Sequence, residues 1–193
     1  MKTPAPSELE GTVLGVVWML ESCTAYAVRG VFRDSPTANW SASAGAIYPL
    51  MRRLEERGLL VSESRQQGQR PSRLYRVTRA GLSALRGWIG PPITPATVAL
   101  PPDPLRARLR FLGALPRRRR ADLIARILDA LHHQLTELES LFVEAETQDD
   151  VYWKLAVGGG LRMARARREW LIEVATTLDI EVGAATATNP ESA

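Results

Sequence analysis

A mainly α-helical protein, with one small β-hairpin set among the helices of its first half, is predicted by three observations. Apolar residues recur at helical spacing through most of the 193-residue chain; the period turns strand-like only between Leu59 and Val77; and six prolines crowd the fifteen residues from Gly90 to Pro104. The proline stretch cannot continue a helix or lie in a central strand. It divides the chain into a first part over residues 7–90, a semi-extended linker over 91–104 and an all-helical part over 105–180. Frayed ends are expected outside these bounds.

The elements of the first part follow in order. Ser7-Glu8-Leu9-Glu10 has the spacing of a capping box, and Leu9, Val13, Val16, Val17 and Leu20 follow at helical intervals, which predicts a helix from Glu8 to about Glu21. Thr24 caps a second helix carrying Tyr26, Val28, Val31 and Phe32, ended by Asp34-Ser35-Pro36. A third begins after Ser41 or Ser43 and stops at Gly58; its Ile47, Leu50, Met51 and Leu54 form one buried stripe at i, i+3, i+4, i+7. Leu59–Ser64 and Arg73–Val77 then read as strands around a polar, basic tip from Gln66 to Pro71. Thr78 caps a fourth helix through Leu82, Leu85, Trp88 and Ile89. Three helices, a hairpin and a closing helix make the order of a winged helix-turn-helix. Trp18, Trp40 and Trp88 are expected to pack in the core or between domains.

Charge points to a partner. Net charge is only +4, yet residues 1–90 carry +5 and residues 91–193 carry −1, and nine arginines from Arg52 to Arg86 meet only Glu55, Glu56 and Glu63. All but two of the 25 basic residues are arginine, the side chain suited to bidentate phosphate and guanine contacts. A first half that faces a polyanion is the economical reading. With the apolar stripe turned inward, the third helix presents Gly45, Pro49, Arg52 and Glu56 outward, with Tyr48 and Arg53 at the borders. Gly45 permits close backbone approach, and Ser41 or Ser43 and the free amides at the helix start suit a phosphate. Arg52 suits guanine in the major groove. Arg70 and Arg73 on the wing suit an adjacent minor groove.

The string Trp40-Ser41-Ala42-Ser43-Ala44-Gly45-Ala46-Ile47-Tyr48-Pro49-Leu50-Met51-Arg52-Arg53-Leu54-Glu55-Glu56-Arg57-Gly58-Leu59 resembles the recognition-helix signature of the PadR family of transcriptional regulators. Arg73-Leu74-Tyr75-Arg76-Val77-Thr78-Arg79-Ala80-Gly81 and Trp88 resemble the family's second wing strand and fourth helix. The resemblance implies a homodimeric DNA-binding repressor whose C-terminal helices form the dimer and help enclose a small-molecule effector. It also makes Tyr26 a contact to the DNA backbone, although Ala25 stands where the family often has glycine. Two winged helices reading successive major-groove faces imply double-stranded DNA with a near-palindromic operator.

In the second half, Ile124, Leu128, Leu131, Leu135, Leu138, Phe142 and Ala145 alternate spacings of four and three, a heptad seam expected to form the dimer. A shorter helix from Leu105 to Leu115 precedes it. Another, from about Asp150 to Leu178, is expected to bury Leu155, Gly159, Met163, Ala166, Trp170 and Val174 on one face. Trp153, Met163 and Trp170 are the candidates to line an effector pocket. Gly158-Gly159-Gly160 weakens that helix unless a backbone packs closely there. Arg117-Arg118-Arg119-Arg120 opposes the macrodipole at a helix start, and acidic partners such as Glu144, Glu146, Asp149 and Asp150, or plain solvation, are expected to offset this, with contact to flanking DNA as the alternative.

Other functions lack their chemistry. His132 and His133 point about 100° apart on a helix and no ligand set completes a metal site. No Ser-His-Asp arrangement or dinucleotide fingerprint supports an enzyme, and no cofactor is implied. Cys23, the only cysteine, cannot form an internal disulfide. The longest apolar run, Val13–Leu20, covers 8 residues, far short of the roughly 20 that a membrane span needs, so a cytoplasmic protein is expected. The alternative to specific DNA binding is a winged-helix module for protein partners; the arginine excess weighs against it.

Overall fold

Ser7 accepts the Glu10 amide while the Glu10 carboxylate accepts the Ser7 amide, and this closed capping box starts α1 (Glu8–Met19). It is the first element of a computed structural model that describes residues 5–35, 40, 43–67, 70–100 and 103–181, leaving aside the side chains at 66, 67, 70, 71 and 96. The chain forms two compact units, Met1–Leu100 and Pro101–Ala193.

In the first unit, Thr24 caps α2 (Ala25–Arg33), and a 3₁₀ turn (Ala44–Ala46) leads into α3 (Ile47–Glu56). The antiparallel strands β1 (Leu60–Gln67) and β2 (Arg70–Val77) pair from Leu60↔Val77 to Gln67↔Arg70, and α4 (Arg79–Ile89) closes the unit. The strands run further toward the tip than the sequence suggests, through Pro71. In a two-stranded sheet every strand is an edge, so a residue without an amide donor is tolerated there. Cys23 adds a bridge on the other side of β2, its amide and carbonyl bonding Tyr75. Its thiol is buried, and burial raises its pKa.

Val13, Val17, Val28, Phe32, Ile47, Met51 and Leu54 are fully buried as the helical stripes foretell, Leu14 outside the α1 stripe is buried with them, and Leu20 of that stripe is exposed. Trp40 stacks on Phe32 and Trp88 packs against the same core, but Trp18 is 59% exposed and stands outside it. Helix α1 ends at Met19, and Glu21 takes a left-handed conformation that turns the chain toward Cys23. Ile89 is likewise exposed, while Leu85 is the buried leucine of α4.

Two glycines let α4 seat. A Cβ on Gly11 would lie 2.3 Å from the Trp88 ring, and one on Gly81 would lie 2.0 Å from the Leu59 carbonyl oxygen. Both are closer than atoms approach, so the indole lies directly on the α1 backbone and the α4 backbone on the start of the wing. Glu10 also pairs with Arg57 at 2.7 Å, tying the start of α1 to the end of α3. Burial raises the Glu10 pKa, but the Ser7 amide and the Arg57 guanidinium outweigh it and hold the carboxyl below its ordinary value.

The proline-rich stretch contains a single helical turn, α5 (Pro95–Val98). In the second unit α6 (Pro104–Arg110), capped by Asp103, gives way to a 3₁₀ turn (Leu112–Ala114), so the expected helix over Leu105–Leu115 is broken near Gly113. Two long helices follow, α7 (Arg117–Thr147) and α8 (Val151–Thr177), the second capped by Asp150. No helix among the described residues is long and apolar enough to cross a membrane.

Candidate nucleic-acid interface

Helix α3 sorts its residues cleanly by side. Ile47, Leu50, Met51 and Leu54 are buried, and Gly45, Ala46, Tyr48, Pro49, Arg52, Arg53 and Glu56 are exposed. The helix starts late, with Ala46 at its cap, so Pro49 is the third helical residue. Its missing amide is one of the first-turn donors that have no intrahelical partner anyway, which removes most of proline's cost. Ser43 precedes the 3₁₀ turn without a capping hydrogen bond from its side chain, and Ser41, the other expected cap, lies outside the described residues. The 3₁₀ turn Ala44–Ala46 takes the place of a side-chain cap.

A Cβ added at Gly45 would meet nothing within 4 Å among the described residues. The position is open to the close approach of an outside surface. Ala46 extends the same small-residue platform; its neighbour Gly45 and the following Tyr48-Pro49 are the signal that marks it in the sequence. Arg52 and Arg53 have no hydrogen-bond or ion-pair partner among the described residues. Glu55 and Glu56, the acids nearest in sequence, do not hold them.

Glu55 instead reaches the wing, accepting from Ser62 Oγ at 2.6 Å and from the Arg73 guanidinium at 2.9 Å. Arg73, read as a groove contact, pairs with Glu55 between β2 and α3 and lies over the Tyr75 ring, with its side chain 53% exposed. This positioning acid was missed in the sequence because its partners lie seven and eighteen residues away, beyond any local periodicity. The side chain of Arg70 lies outside the description. Tyr26 is 64% exposed on α2, beside Arg33, which is itself doubly bonded to Asp34. Gly45, Tyr48, Pro49, Arg52 and Arg53 are thus gathered on one helix face, with Tyr26 exposed on the helix before it.

In the second unit the heptad seam lies within the chain. Ile124, Leu128, Leu131, Leu135 and Leu138 are buried and Phe142 half-buried, packed against Val157, Gly158, Leu161, Ala164, Leu171 and Ala175 of α8. The seam therefore joins α7 to α8 and is not open to a second copy. Gly158 is the close approach, since its Cβ would stand 3.1 Å from the Phe142 ring, whereas Gly159 and Gly160 face open space. The face of α8 expected to be buried is largely the opposite one: Leu155 and Met163 are 66% and 65% exposed. The seam fixes the rotation of α8, and hydropathy alone does not say which of two apolar edges it uses.

The three candidate pocket residues do not meet. Trp153 and Trp170 are seventeen positions apart on one helix, about 25 Å. Trp170 does line a concavity of about 470 Å³ with Leu109, Leu112, Val174, Leu178, Arg120 and Glu173. In the four-arginine run Arg118 and Arg119 are exposed, and the acids named as partners do not reach it. Glu144 and Glu146 lie about 40 Å away along α7. Arg117 pairs instead with Asp179, and Arg120 donates to the Leu115 and Gly113 carbonyls.

Comparison with known proteins agrees with this architecture. Residues 13–87 match the model of the transcriptional regulator PadR-like family, and residues 103–179 match that of the virulence activator alpha C-terminal region. The transcriptional regulator Rv3488 of Mycobacterium tuberculosis is 50% identical over 46 residues, 24% of this chain and 43% of its own length, so that match spans less than half of the relative. The negative transcriptional regulator PadR of Bacillus subtilis is 25% identical over 182 residues, 89% of this chain and 97% of its own. Its crystal structure with operator DNA shares the fold at a TM-score of 0.77, with 21% identity, covering 90% of this chain and 99% of that one. Its complex with p-coumaric acid gives 0.69, with 19% identity over 92% and 100%. The Vibrio cholerae virulence activator AphA gives 0.67, with 20% identity over 89% and 98%. The winged-helix unit, with its exposed, arginine-bearing third helix, is thus similar over residues 13–87 to the transcriptional regulator PadR-like family, and the helical unit is similar over residues 103–179 to the virulence activator alpha C-terminal region.

Proposed function

We propose that the protein is a homodimeric repressor that binds a near-palindromic operator in the cytoplasm and releases it when a small molecule occupies the C-terminal unit. The carrying observation is the outward face of α3, where Arg52 and Arg53 stand without partners among the described residues beside Tyr48 and Gly45, which is open to an outside surface. Arg52 reads guanine in this scheme, and Tyr48, Tyr26 and Arg53 hold the phosphates. Arg70 and Arg73 are the residues of the wing assigned to the adjacent minor groove in this scheme.

Repression is supported by the negative regulator of Bacillus subtilis, and an effector by the complex of that protein with p-coumaric acid. The concavity walled by Leu109, Leu112, Trp170, Val174 and Leu178 is the place for a small, largely apolar molecule here. Dimerisation falls to the outward face of α8, where Tyr152, Leu155 and Met163 are exposed around the open Gly159. A ligand that favours a dimer geometry with mismatched α3 spacing lowers DNA affinity by that preference.

The test is titration of the purified protein against DNA from its own upstream region, with salt and non-specific competitor varied. Tight, salt-sensitive binding at a dyad-symmetric site supports the proposal; affinity no better than for competitor overturns it in favour of a protein-interaction module. One observation favours activation as a second reading: residues 103–179 match a C-terminal region described from a virulence activator. A reporter driven by the bound promoter decides between the two, since deletion of a repressor raises expression and deletion of an activator lowers it.

A further inference from the structure

We infer that the second unit carries its own DNA-backbone contact, an arginine face built from α6 and the first turn of α7. This rests on the reading of the chain as a DNA-binding regulator and adds a surface that α3 and the wing do not include. From Pro104 to Ala121 there are seven arginines and no acidic residue. The apolar positions of this stretch, Leu105, Leu109, Leu112 and Leu115, pack inward on the α7–α8 core, and Arg106, Arg108, Arg110, Arg118 and Arg119 are exposed.

The internal uses of these charges are few. Arg117 pairs with Asp179, Arg120 holds two carbonyls of the preceding turn, and Arg110 lies over the Phe111 ring. Arg108, Arg118 and Arg119 have no partner among the described residues. Helix stability does not account for them, because positive charge at the start of α7 opposes the helix dipole and no side chain caps that end. The far end of α7 is the reverse: from Glu137 to Asp150 there are six acids and no basic residue. That polarity selects how a polyanion can approach. The acidic end repels phosphate, and only the arginine end accepts it. Between the two polyanion-binding alternatives, a duplex already held by α3 favours DNA over an acidic protein, since its flanking phosphates are present at high local concentration.

The experiment uses the full-length protein and two duplexes: its operator trimmed to the footprint of the first unit, and the same site extended by about one helical turn on each side. The wild type is expected to show a steeper fall of log affinity with log salt on the extended duplex. Arg108→Ala/Arg118→Ala/Arg119→Ala is expected to lose that increment, flattening the slope by about 0.9 per phosphate contact removed. Its binding to the trimmed duplex is expected to stay at the wild-type level, which also shows that the variant is folded. Equal slopes on both duplexes for the wild type, or an increment that survives the triple substitution, overturns the inference. So does a variant whose DNA binding is unchanged but which fails to retain an acidic protein partner that the wild type holds. Failure of the wild type on the trimmed duplex counts against the parent reading instead.

Discussion

At the level of single residues, the α3 face separates side chains that build the fold from those left exposed. Arg52 and Arg53 have no partner among the described residues while Arg73 pairs with Glu55, so arginines about twenty residues apart in sequence are expected to behave differently. Arg52→Ala should cost about 1–3 kcal/mol of specific affinity and relax selectivity at one base position, with unfolding unchanged. A competition titration against single-base operator variants measures this; a loss equal at every base would assign Arg52 to phosphate. Gly45→Ala has open space around the added methyl, so it should fold as the parent does and still bind DNA more weakly. Unaltered DNA affinity would remove Gly45 from the interface.

Glu10 carries a different kind of residue-scale prediction. Its carboxyl is held below the ordinary value of 4.5 by the Ser7 amide and Arg57, against the opposing effect of burial. A carboxylate depressed in the folded state adds stability that is complete above the unfolded value and disappears as pH falls through the folded one. The first unit should therefore lose stability below about pH 4.5, and Glu10→Gln should flatten that acid limb while lowering stability at neutral pH. Denaturant midpoints measured from pH 3 to 7 check this, and an acid limb unchanged by the substitution would place the titrating group elsewhere.

At the level of elements, the sequence was readable wherever a local period or cap decides the outcome. Ser7, Thr24, Thr78 and Asp150 mark helix starts through bonds to amides two or three residues on, and the α3 stripe follows from spacing alone. What was not readable depends on contacts distant in sequence. The Glu55 bridge to the wing, the rotation of α8 and the pairing of α7 with α8 rather than with another copy all need the partner element to be known. A heptad states that a helix has a neighbour and not which chain supplies it. Trp18 shows the same limit, because an aromatic at a helical spacing still fell outside the core. The contact of α4 with α1 yields a prediction here. Gly11→Ala drives a methyl into the Trp88 ring, which cannot retreat as a flexible chain end would, and should destabilise the first unit by roughly 1–3 kcal/mol. Gly11→Ala/Trp88→Leu should recover part of that loss in a double-mutant cycle; strict additivity would mean that the indole is not what the methyl meets.

At the level of the whole molecule, the proposed dimer has two apolar edges of α8 to draw on, and they differ in burial. The inner edge packs against α7, whose Leu131 and Leu135 are buried in that seam. Leu131→Asp therefore places an unpaired charge in a monomer core and should unfold the second unit, not merely dissociate a dimer. The outer edge, with Leu155 and Met163 about two-thirds exposed, has no such internal duty. Leu155→Glu/Met163→Glu should leave helix content and thermal unfolding of the isolated subunit intact while shifting sedimentation from dimer to monomer. In the proposed complex two α3 helices grip a two-fold operator at once, so the monomer should bind a full site hardly better than a half-site, losing the effective-concentration gain of the second contact, roughly 100-fold or more. A double variant that still sediments as a dimer moves the interface off α8. One that becomes monomeric yet keeps full-site affinity would show that each winged helix recognises its half-site independently of the other.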